Sequence, residues 1–274
     1  MSVLFVQLSD THIREPGRLA YNRLDTAPYL RRAVQSVLSL PQKPLAVVMT
    51  GDLTDFGRIE EYQHLAALLD PLDVPVYLMP GNHDDRDQLR SAFPTHEYLG
   101  SSGFVQYEVE IGPVVLIALD TCIPGESGGI LCDERLDWLE HALSTNTGKP
   151  IVVAMHHPPF TTLIGHMDDI GLKDGVQKLY NIISRHPNVE RIICGHLHRA
   201  IDVRFAGTIA STTPSPAHQV HLNLAQDADS SWVLEPPAFR VFGWSPPTGL
   251  VTHLAFVGPH EGPYPFRENG KLID

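Results

Sequence analysis

Hydrophobic runs alternate with amphipathic segments along the first two thirds of the chain. Six short runs, rich in Val, Ile and Leu and bounded by Gly, Pro or Asp, predict buried strands over residues 3–8, 45–50, 76–79, 114–119, 151–155 and 192–194. Between these runs, apolar residues recur at helical spacing over residues 26–40, 58–69, 133–143 and 173–185. This alternation predicts an α/β fold in which helices cover a sheet. A strand-like segment at 104–110, followed by Gly112 and Pro113, indicates a hairpin, so we expect the sheet to be mixed.

The texture of the sequence changes after residue 205. Proline and serine become frequent, and we predict a single further strand, over residues 250–257. We therefore expect a core over residues 1–205 and a C-terminal extension over residues 206–274 packed on it, because the extension has too few apolar residues for a core of its own. We expect this extension, with the loops at 10–24 and 163–169, to wall a ligand pocket. Its aromatic residues are expected to contact another subunit; they are Trp232, Phe239, Phe242 and Trp244.

Composition and charge narrow the classes of partner. The chain has 274 residues, 43% of them hydrophobic and 19% charged, which is enough for a sizeable core. A formal net charge of -12 argues against a nucleic-acid polymer or an anionic membrane as the main partner, because both bind clustered basic residues. A small anionic ligand stays compatible with this charge if metal ions reverse it locally.

The chain start and the cysteines indicate a compartment. The sequence MSVLFVQLSDTH has no basic region before its apolar run, so we expect a strand there and neither a signal peptide nor a membrane span. Three cysteines are too few for a disulfide framework, and we expect a cytoplasmic protein. A bridge between Cys122 and Cys132 remains open.

Five predicted strands are followed directly by residues that bind metal ions. These sequences are Ser9-Asp10-Thr11-His12, Gly51-Asp52, Gly81-Asn82-His83-Asp84, His156-His157 and Gly195-His196-Leu197-His198. Ligands of open α/β sheets bind beyond the carboxyl ends of the strands. Residues two apart in an extended segment point to one side, so His196 and His198 present two imidazoles to one place. The pattern therefore predicts a metal site at this edge of the sheet.

The number of candidate ligands fits two ions better than one. The candidates are Asp10, His12, Asp52, Asn82, His156, His196 and His198. Seven ligands are too many for one tetrahedral ion, but they suit two ions of higher coordination that share a carboxylate, for which Asp52 is the candidate. Mixed imidazole and carboxylate ligands suit Fe, Mn, Zn or Co, as two divalent ions or a mixed-valence pair, and do not select among them.

The ordered motifs D-x-H, G-D, G-N-H-D, H and G-H-x-H over residues 10–198 resemble those of the calcineurin-like metallophosphoesterase superfamily. Within it, HHPP at 156–159 and AHQV at 217–220 resemble the class III cyclic-nucleotide phosphodiesterases, and most closely the bacterial glycerophosphodiesterase branch. The resemblance implies a sandwich of two mainly mixed β-sheets flanked by helices, in the order α/β/β/α. It also implies a homo-oligomer and two bound ions. One ion would be held by Asp10, His12, Asp52 and His198, and a second, looser one by Asp52, Asn82, His156 and His196.

The activity implied by the resemblance is hydrolysis of a small phosphodiester, such as a glycerophosphodiester or a cyclic nucleotide, by a metal-bridging hydroxide. His83 would bind a phosphate oxygen or protonate the leaving alkoxide, unless its role is only structural, and Asp84 would orient it. His218 would face the substrate, unless it is a surface histidine.

Two alternatives to this activity remain. The first is a phosphomonoesterase with the same dimetal core. The second is a non-catalytic scaffold of the same fold, against which the presence of all seven ligands argues. Asp55 stands where purple acid phosphatases have a tyrosine, and Phe56 where Ser/Thr protein phosphatases have an arginine, so neither of those subfamilies is supported.

Overall fold

The computed structural model describes residues 3–273, so that residues 1, 2 and 274 of the predicted core and extension lie outside the described part. The strands are β1 (Val3–Leu8), β2 (Val47–Thr50), β3 (Val76–Met79), β4 (Tyr107–Ile111), β5 (Val114–Leu119), β6 (Gly129–Ile130), β7 (Ile151–Met155), β8 (Leu172–Asp174), β9 (Val189–Cys194), β10 (Ile201–Phe205), β11 (Thr208–Thr212), β12 (Gln219–Val220), β13 (Trp232–Val233), β14 (Ala238–Ser245), β15 (Gly249–Phe256), β16 (Arg267–Glu268) and β17 (Lys271–Leu272). The helices are α1 (Ala27–Leu38), α2 (Ile59–Leu69), α3 (Arg86–Ala92), α4 (Asp133–Thr145), α5 (Gly165–Asp168) and α6 (Val176–Ser184), and a short 3-10 helix spans Glu97–Leu99.

Two mixed sheets form the centre of the molecule. The first has the order β15-β14-β1-β2-β3, in which β1, β2 and β3 are parallel and β14 runs antiparallel to both of its neighbours, β1 and β15. The second has the order β10-β11-β9-β7-β5-β4, with a parallel centre from β11 to β5 and an antiparallel strand at each edge. Three further pairs, β6-β8, β12-β13 and β16-β17, form small ribbons. The predicted mixed α/β fold is confirmed.

Alternation along the strands of the second sheet divides the core into two layers. On β5, Leu116 and Ala118 belong to the cluster between the sheets, whereas Val115 and Ile117 belong to the cluster beneath α4 and α6. This follows from the period of two in a strand, which sends successive side chains to opposite faces. Helices α1 and α2 pack their apolar faces on the first sheet. The layers are therefore helix, sheet, sheet and helix, as predicted.

The segment after residue 205 contains more strands than predicted. Strand β11 lies between β9 and β10 in one sheet, and β14 lies between β1 and β15 in the other. The expectation of a single strand there is wrong. Phe239 and Phe242 are buried in the core, and Phe242 stacks on Phe5 with ring centroids 4.8 Å apart. These two rings thus cannot contact another subunit as predicted, because they already pack inside the chain.

Smaller differences concern boundaries and cysteines. The predicted helix over 173–185 begins later, because residues 172–174 form β8 and Gly175 turns the chain with φ of +86°. Helices α3 and α5 were not predicted. All three cysteines have free thiols, so Cys122 and Cys132 are not bridged. Within residues 3–273, the helices are all too short or too polar to cross a membrane.

Candidate metal centre

The predicted ligands meet where the two sheets adjoin. Strands β1, β2 and β3 of the first sheet are followed by Asp10 and His12, by Asp52 and by Asn82. Strands β7 and β9 of the second sheet are followed by His156, His196 and His198. Backbone bonds tie the loops together, from the N–H of Asp10 to the Gly51 carbonyl (3.0 Å) and from the N–H of Gly195 to the His156 carbonyl (3.1 Å).

Four ligand atoms converge at the first predicted position. One atom each from Asp10, His12, Asp52 and His198 lies within 4.8 Å of all the others. The Nε2 atoms of His12 and His198 are 3.2 Å apart, and His12 Nε2 is 3.7 Å from Asp52 Oδ2. His198 Nε2 lies 3.6 Å from Asp10 Oδ1. Two imidazole nitrogens this close to each other and to two carboxylates suit a shared cation.

A second set converges on the other oxygen of Asp52. His156 Nε2 is 3.4 Å from Asp52 Oδ1 and 3.0 Å from Asn82 Oδ1. His196 Nδ1 is 3.1 Å from the same amide oxygen of Asn82. Asp52 therefore faces one set of side chains with each of its carboxylate oxygens. This is the arrangement that the bridging role predicted from the sequence requires.

The backbone at these positions is strained. Five of the candidate ligands adopt a left-handed φ, namely Asp10 (55°), His12 (44°), Asp52 (48°), His196 (70°) and His198 (50°). Such a conformation costs a residue other than glycine about 1–3 kcal/mol and persists only where the surroundings enforce it. Strain of this kind concentrates at functional sites. Here it accompanies the convergence of these side chains on the candidate metal centre.

Glycines allow the strand ends to approach closely. A Cβ atom on Gly81 would lie 2.2 Å from Asp52 Oδ1, and one on Gly195 would lie 2.2 Å from the Ser9 hydroxyl oxygen. Any side chain at these two positions would displace the residues that the site is made of.

Neighbouring groups fix which nitrogen of each histidine points inward. His156 Nδ1 donates to the Thr50 carbonyl (2.8 Å), and His198 Nδ1 donates to the His218 carbonyl (3.0 Å). His12 Nδ1 lies 3.2 Å from Asp55 Oδ1. In all three, Nε2 is left for a ligand, which is the usual arrangement around histidines that bind metals.

Burial and the two carboxylates divide the histidines into two kinds. Burial lowers the pKa of His198 to about 3 and that of His196 well below its usual value, so both are neutral. Burial also lowers the pKa of His156, but the negative charge of Asp52 outweighs it and raises this pKa to about 9. Burial raises the pKa of Asp10 to about 6. Burial would raise the pKa of Asp52 too, but the positive charge of His156 holds it well below its usual range.

The donor set fits two metal ions. Asp10 Oδ2 and His196 Nε2 are buried and have no hydrogen-bond partner among the described residues. An unsatisfied buried polar atom is costly, and an ion at the first position would satisfy Asp10 Oδ2. Each set has two nitrogen and two oxygen donors, and such mixed donors suit transition metals, as the sequence predicted.

His83 is held by Asp55 rather than by Asp84. Its Nδ1 donates to the Asp55 carbonyl oxygen at 2.8 Å, which leaves Nε2 for the cleft. The Asp84 carboxylate accepts hydrogen bonds from the N–H groups of Leu53, Thr54 and Gly81 and from the hydroxyls of Thr54 and Tyr62. The expectation that Asp84 orients His83 is wrong, because these donors occupy the carboxylate oxygens of Asp84. Asp84 instead holds the loop after β2 against the loop after β3.

Asp55 links the candidate ligand His12 to His83. In the sequence, Asp55 argued only against a purple acid phosphatase, and this linking role was missed. Its carboxylate faces His12 on one side and Arg14 on the other, with Arg14 Nη1 3.4 Å from Oδ2. Arg14 Nε in turn donates to the fully buried Glu61 at 2.8 Å. The repeated aspartate in G-D-L-T-D was the available signal, because it placed a second carboxylate beside the first.

A cleft of about 370 Å³ opens above these residues. His218 lines it beside His12 and His198, and its Nε2 is 3.1 Å from the Tyr21 hydroxyl. Burial lowers the pKa of His218, so the imidazole is neutral. Each of the three segments predicted as pocket walls contributes side chains, including Tyr21, His166 and Trp232. Tyr21 and Ser127 were missed, since no motif marks them.

His157 follows the candidate ligand His156 directly after β7. One of its nitrogens lies within 4.8 Å of nitrogens of His156 and His196, as in a possible metal group. Both nitrogens are nevertheless engaged, since Nε2 donates to the Ser127 carbonyl (3.1 Å) and Nδ1 accepts from the Thr121 hydroxyl (2.8 Å). These bonds favour the structural role.

Comparisons with known proteins identify the family of this chain. The family model for calcineurin-like phosphoesterases matches residues 3–200. A probable glycerophosphodiester phosphodiesterase GpdQ of Arcobacter nitrofigilis is 39% identical over 273 residues, which are 99% of this chain and 100% of the relative. A probable cyclic nucleotide phosphodiesterase of Rhodopseudomonas palustris is 35% identical over 86% of each chain.

Solved structures share the fold at low identity. A dimetal phosphatase from Danio rerio has a TM-score of 0.62 at 16% identity and covers 93% of this chain and 99% of its own. A purple acid phosphatase from yellow lupin has a TM-score of 0.66 at 15% identity and covers 100% of this chain and 53% of its own. The motifs, the two sheets and the family match lead to one conclusion: this chain belongs to the calcineurin-like phosphoesterase family.

Proposed function

We propose that the protein is a dinuclear metal-dependent phosphodiesterase that hydrolyses small phosphodiesters. The observation that carries the proposal is the position of Asp52, whose two oxygens face two separate sets of metal-binding side chains. Asp10, His12 and His198 would hold one ion with Asp52, and Asn82, His156 and His196 would hold the other. Two bound ions supply a nucleophile by lowering the pKa of a water molecule, and they offset charge on the phosphate.

The chain's own side chains would bind and orient the phosphate. His83 has a side chain that is 34% exposed at the floor of the cleft, and its Nδ1 is fixed by Asp55, so its Nε2 is placed to donate to a phosphate oxygen or to the leaving oxygen. His218 lies across the cleft as a neutral imidazole. We propose a substrate-binding role for both.

The cleft favours a diester over a monoester. Among the described residues that line it, there is no lysine or arginine, and Asp52 is the one carboxylate. A monoester carries an additional negative charge that cationic side chains would be expected to offset. The walls instead offer hydroxyl, imidazole and aromatic groups, which suit a second organic substituent on the phosphate.

The names of the relatives support two classes of substrate. GpdQ proteins are named for glycerophosphodiesters and the other relatives for cyclic nucleotides. We propose that a small diester of one of these classes is the substrate, and that Fe, Mn, Zn or Co fill the two positions.

We also propose a cytoplasmic homo-oligomer that has neither a nucleic-acid nor a membrane partner. The free thiols fit a reducing compartment, and the net charge of -12 disfavours polyanions. Leu254 (42% exposed) and Phe256 (51% exposed) on the edge strand β15 support self-association. The division of the chain at residue 205 stays a proposal, with the strands after it shared between both sheets.

The test compares two chromogenic substrates. Metal-stripped protein reloaded with Mn²⁺ is assayed with bis(p-nitrophenyl) phosphate and p-nitrophenyl phosphate, as wild type, Asp52→Ala and His83→Ala. We expect faster cleavage of the diester, an inactive Asp52→Ala that binds less metal, and a His83→Ala that keeps its metal but loses about 10²-fold in kcat. The matched control is Asp73→Ala, because Asp73 is exposed and its ion pair among the described residues is with Lys43.

Other outcomes would replace the proposal. Faster cleavage of the monoester would indicate a phosphomonoesterase with the same core. If neither ester is cleaved although two ions are bound, the protein is a non-catalytic scaffold of this fold.

A further inference from the structure

Two aromatic rings stand side by side in the wall of the cleft. The ring centroids of Tyr21 and Trp232 are 5.6 Å apart, and their planes are inclined by 33°. The imidazole of His218 stands nearly perpendicular to both, with centroids 5.1 Å from Tyr21 and 5.6 Å from Trp232. All three line the cleft above the candidate metal ligands. We call the paired rings of Tyr21 and Trp232 the aromatic wall.

The chain holds the aromatic wall in place from two sides. Ala20 and Leu24 exchange two backbone hydrogen bonds of 2.8 and 2.9 Å, which close a tight turn that displays Tyr21. Tyr21 itself has a left-handed φ of 53°, which is unfavourable for a bulky residue. On the other side, Trp232 pairs with Val220 in the β12-β13 ribbon. Val220 follows His218 by two residues, so the ribbon places Trp232 near His218.

A contribution to folding stability does not explain the conformation of the aromatic wall. Tyr21 remains 45% exposed although its backbone is strained. Burial of its ring therefore contributes less free energy than full burial would to offset the cost of the strain. Strained backbone that presents an exposed side chain above a reaction site is typical of substrate recognition. Apart from the candidate metal ligands and the histidines beside them, the described lining is small or apolar, as at Ser230, Ser231 and Ile170, and it includes no lysine or arginine. A flat, uncharged group therefore fits the space beside the wall better than a charged one.

We propose that Trp232, with Tyr21 beside it, is a specificity-determining residue that stacks on the planar ring of a nucleobase carried by the phosphodiester. This inference rests on the proposed phosphodiesterase function and narrows its substrate class. An aromatic face binds any base through its π surface, without reading hydrogen bonds. A glycerophosphodiester has no planar ring and gains little from the wall.

The test uses ratios, so that differences in intrinsic reactivity cancel. We compare kcat/KM for 3′,5′-cyclic AMP and for glycerophosphoethanolamine in the metal-loaded wild type, Trp232→Ala and Trp232→Phe. Trp232→Ala is expected to lower the ratio of the first to the second about 10-fold, mainly through KM, because stacking on the base is lost. Trp232→Phe should keep most of the ratio, since a phenyl ring still stacks. The control Trp244→Phe, on β14 and away from the cleft, should leave the ratio unchanged.

A binding measurement tests the wall separately from catalysis. Titration of the zinc-loaded protein with adenosine 5′-monophosphate is expected to quench the indole fluorescence of the wild type and of Trp244→Phe, but not of Trp232→Phe.

Equal losses for both substrates in Trp232→Ala would overturn the inference and show that the indole only supports His218. If the wild type cleaves neither diester, the proposed function fails. The quenching experiment then decides on the wall alone, and absence of quenching overturns it.

Discussion

Single residues at the strand ends determine the geometry of the candidate site. The left-handed backbone at Asp10, Asp52 and His196 and the bare Cα of Gly81 are needed together, because each places a ligand where a normal conformation would not. The local cost is offset by packing elsewhere, which is why such positions tolerate little change.

Gly81→Ala tests this dependence directly. The added Cβ would lie 2.2 Å from Asp52 Oδ1 and 2.3 Å from the Asp52 nitrogen, so Asp52 must move. We expect weaker Mn²⁺ binding and a loss of about 10²-fold in diester hydrolysis, as a displacement of about 1 Å can cause. Gly171→Ala is the control, because its nearest atom would be 3.5 Å away. Equal activity of the two variants would contradict the proposed role of Gly81.

The raised pKa of His156 predicts that metal loading depends on pH. In the metal-free protein this imidazole, with a pKa of about 9, carries a proton at neutral pH that an ion must displace. Apparent affinity should therefore rise with pH, about tenfold per unit below this pKa. Below the pKa of Asp10, about 6, affinity should fall more steeply, since a second proton competes. Calorimetric titration with Mn²⁺ in two buffers measures the protons released, and an affinity independent of pH would refute the assignment.

The sequence predicted the candidate metal ligands, but it predicted only some of the residues that contact them or line the cleft above them. Asp10, His196 and the others stand directly after predicted strands, so position along the chain was enough to bring them together. Tyr21 and His218 are 197 residues apart, and their contact depends on how two loops fold over the cleft. The partner of His83 was mistaken for a similar reason, since a backbone carbonyl leaves no trace in sequence.

Among the elements, β14 carries more of the core than its sequence suggests. It lies between β1 and β15 and contributes Phe242, which is fully buried against Phe5. The prolines on both sides, in EPPAFRVFGWSPP, made this segment look like a loop. The prolines only bound the strand, and none lies within its eight residues.

Phe242→Ala should reveal this contribution. Loss of a buried phenyl ring is expected to lower the free energy of unfolding by about 3–5 kcal/mol. Phe256→Ala on the neighbouring strand β15, where the ring is 51% exposed, should lower it by about 0.5 kcal/mol. Urea denaturation of both variants gives the comparison. Similar values for the two would mean that the C-terminal strands are not part of the common core.

At the scale of the whole molecule, the site joins the two sheets. The first sheet supplies Asp10, His12, Asp52 and Asn82, and the second supplies His156, His196 and His198. Neither sheet alone holds a complete set for one ion, because each set takes residues from both. The α/β/β/α layering is therefore a condition of the proposed chemistry, and the account stands or falls with two ions shared across this interface.

Titration of metal-stripped protein with Mn²⁺, followed by hydrolysis of bis(p-nitrophenyl) phosphate and by the amount of bound metal, tests this claim most directly. The account predicts two ions per chain and full diesterase activity only when the second ion has bound, with p-nitrophenyl phosphate cleaved more slowly at every step. Activity that saturates with one ion, or a monoester that is cleaved faster, would contradict it.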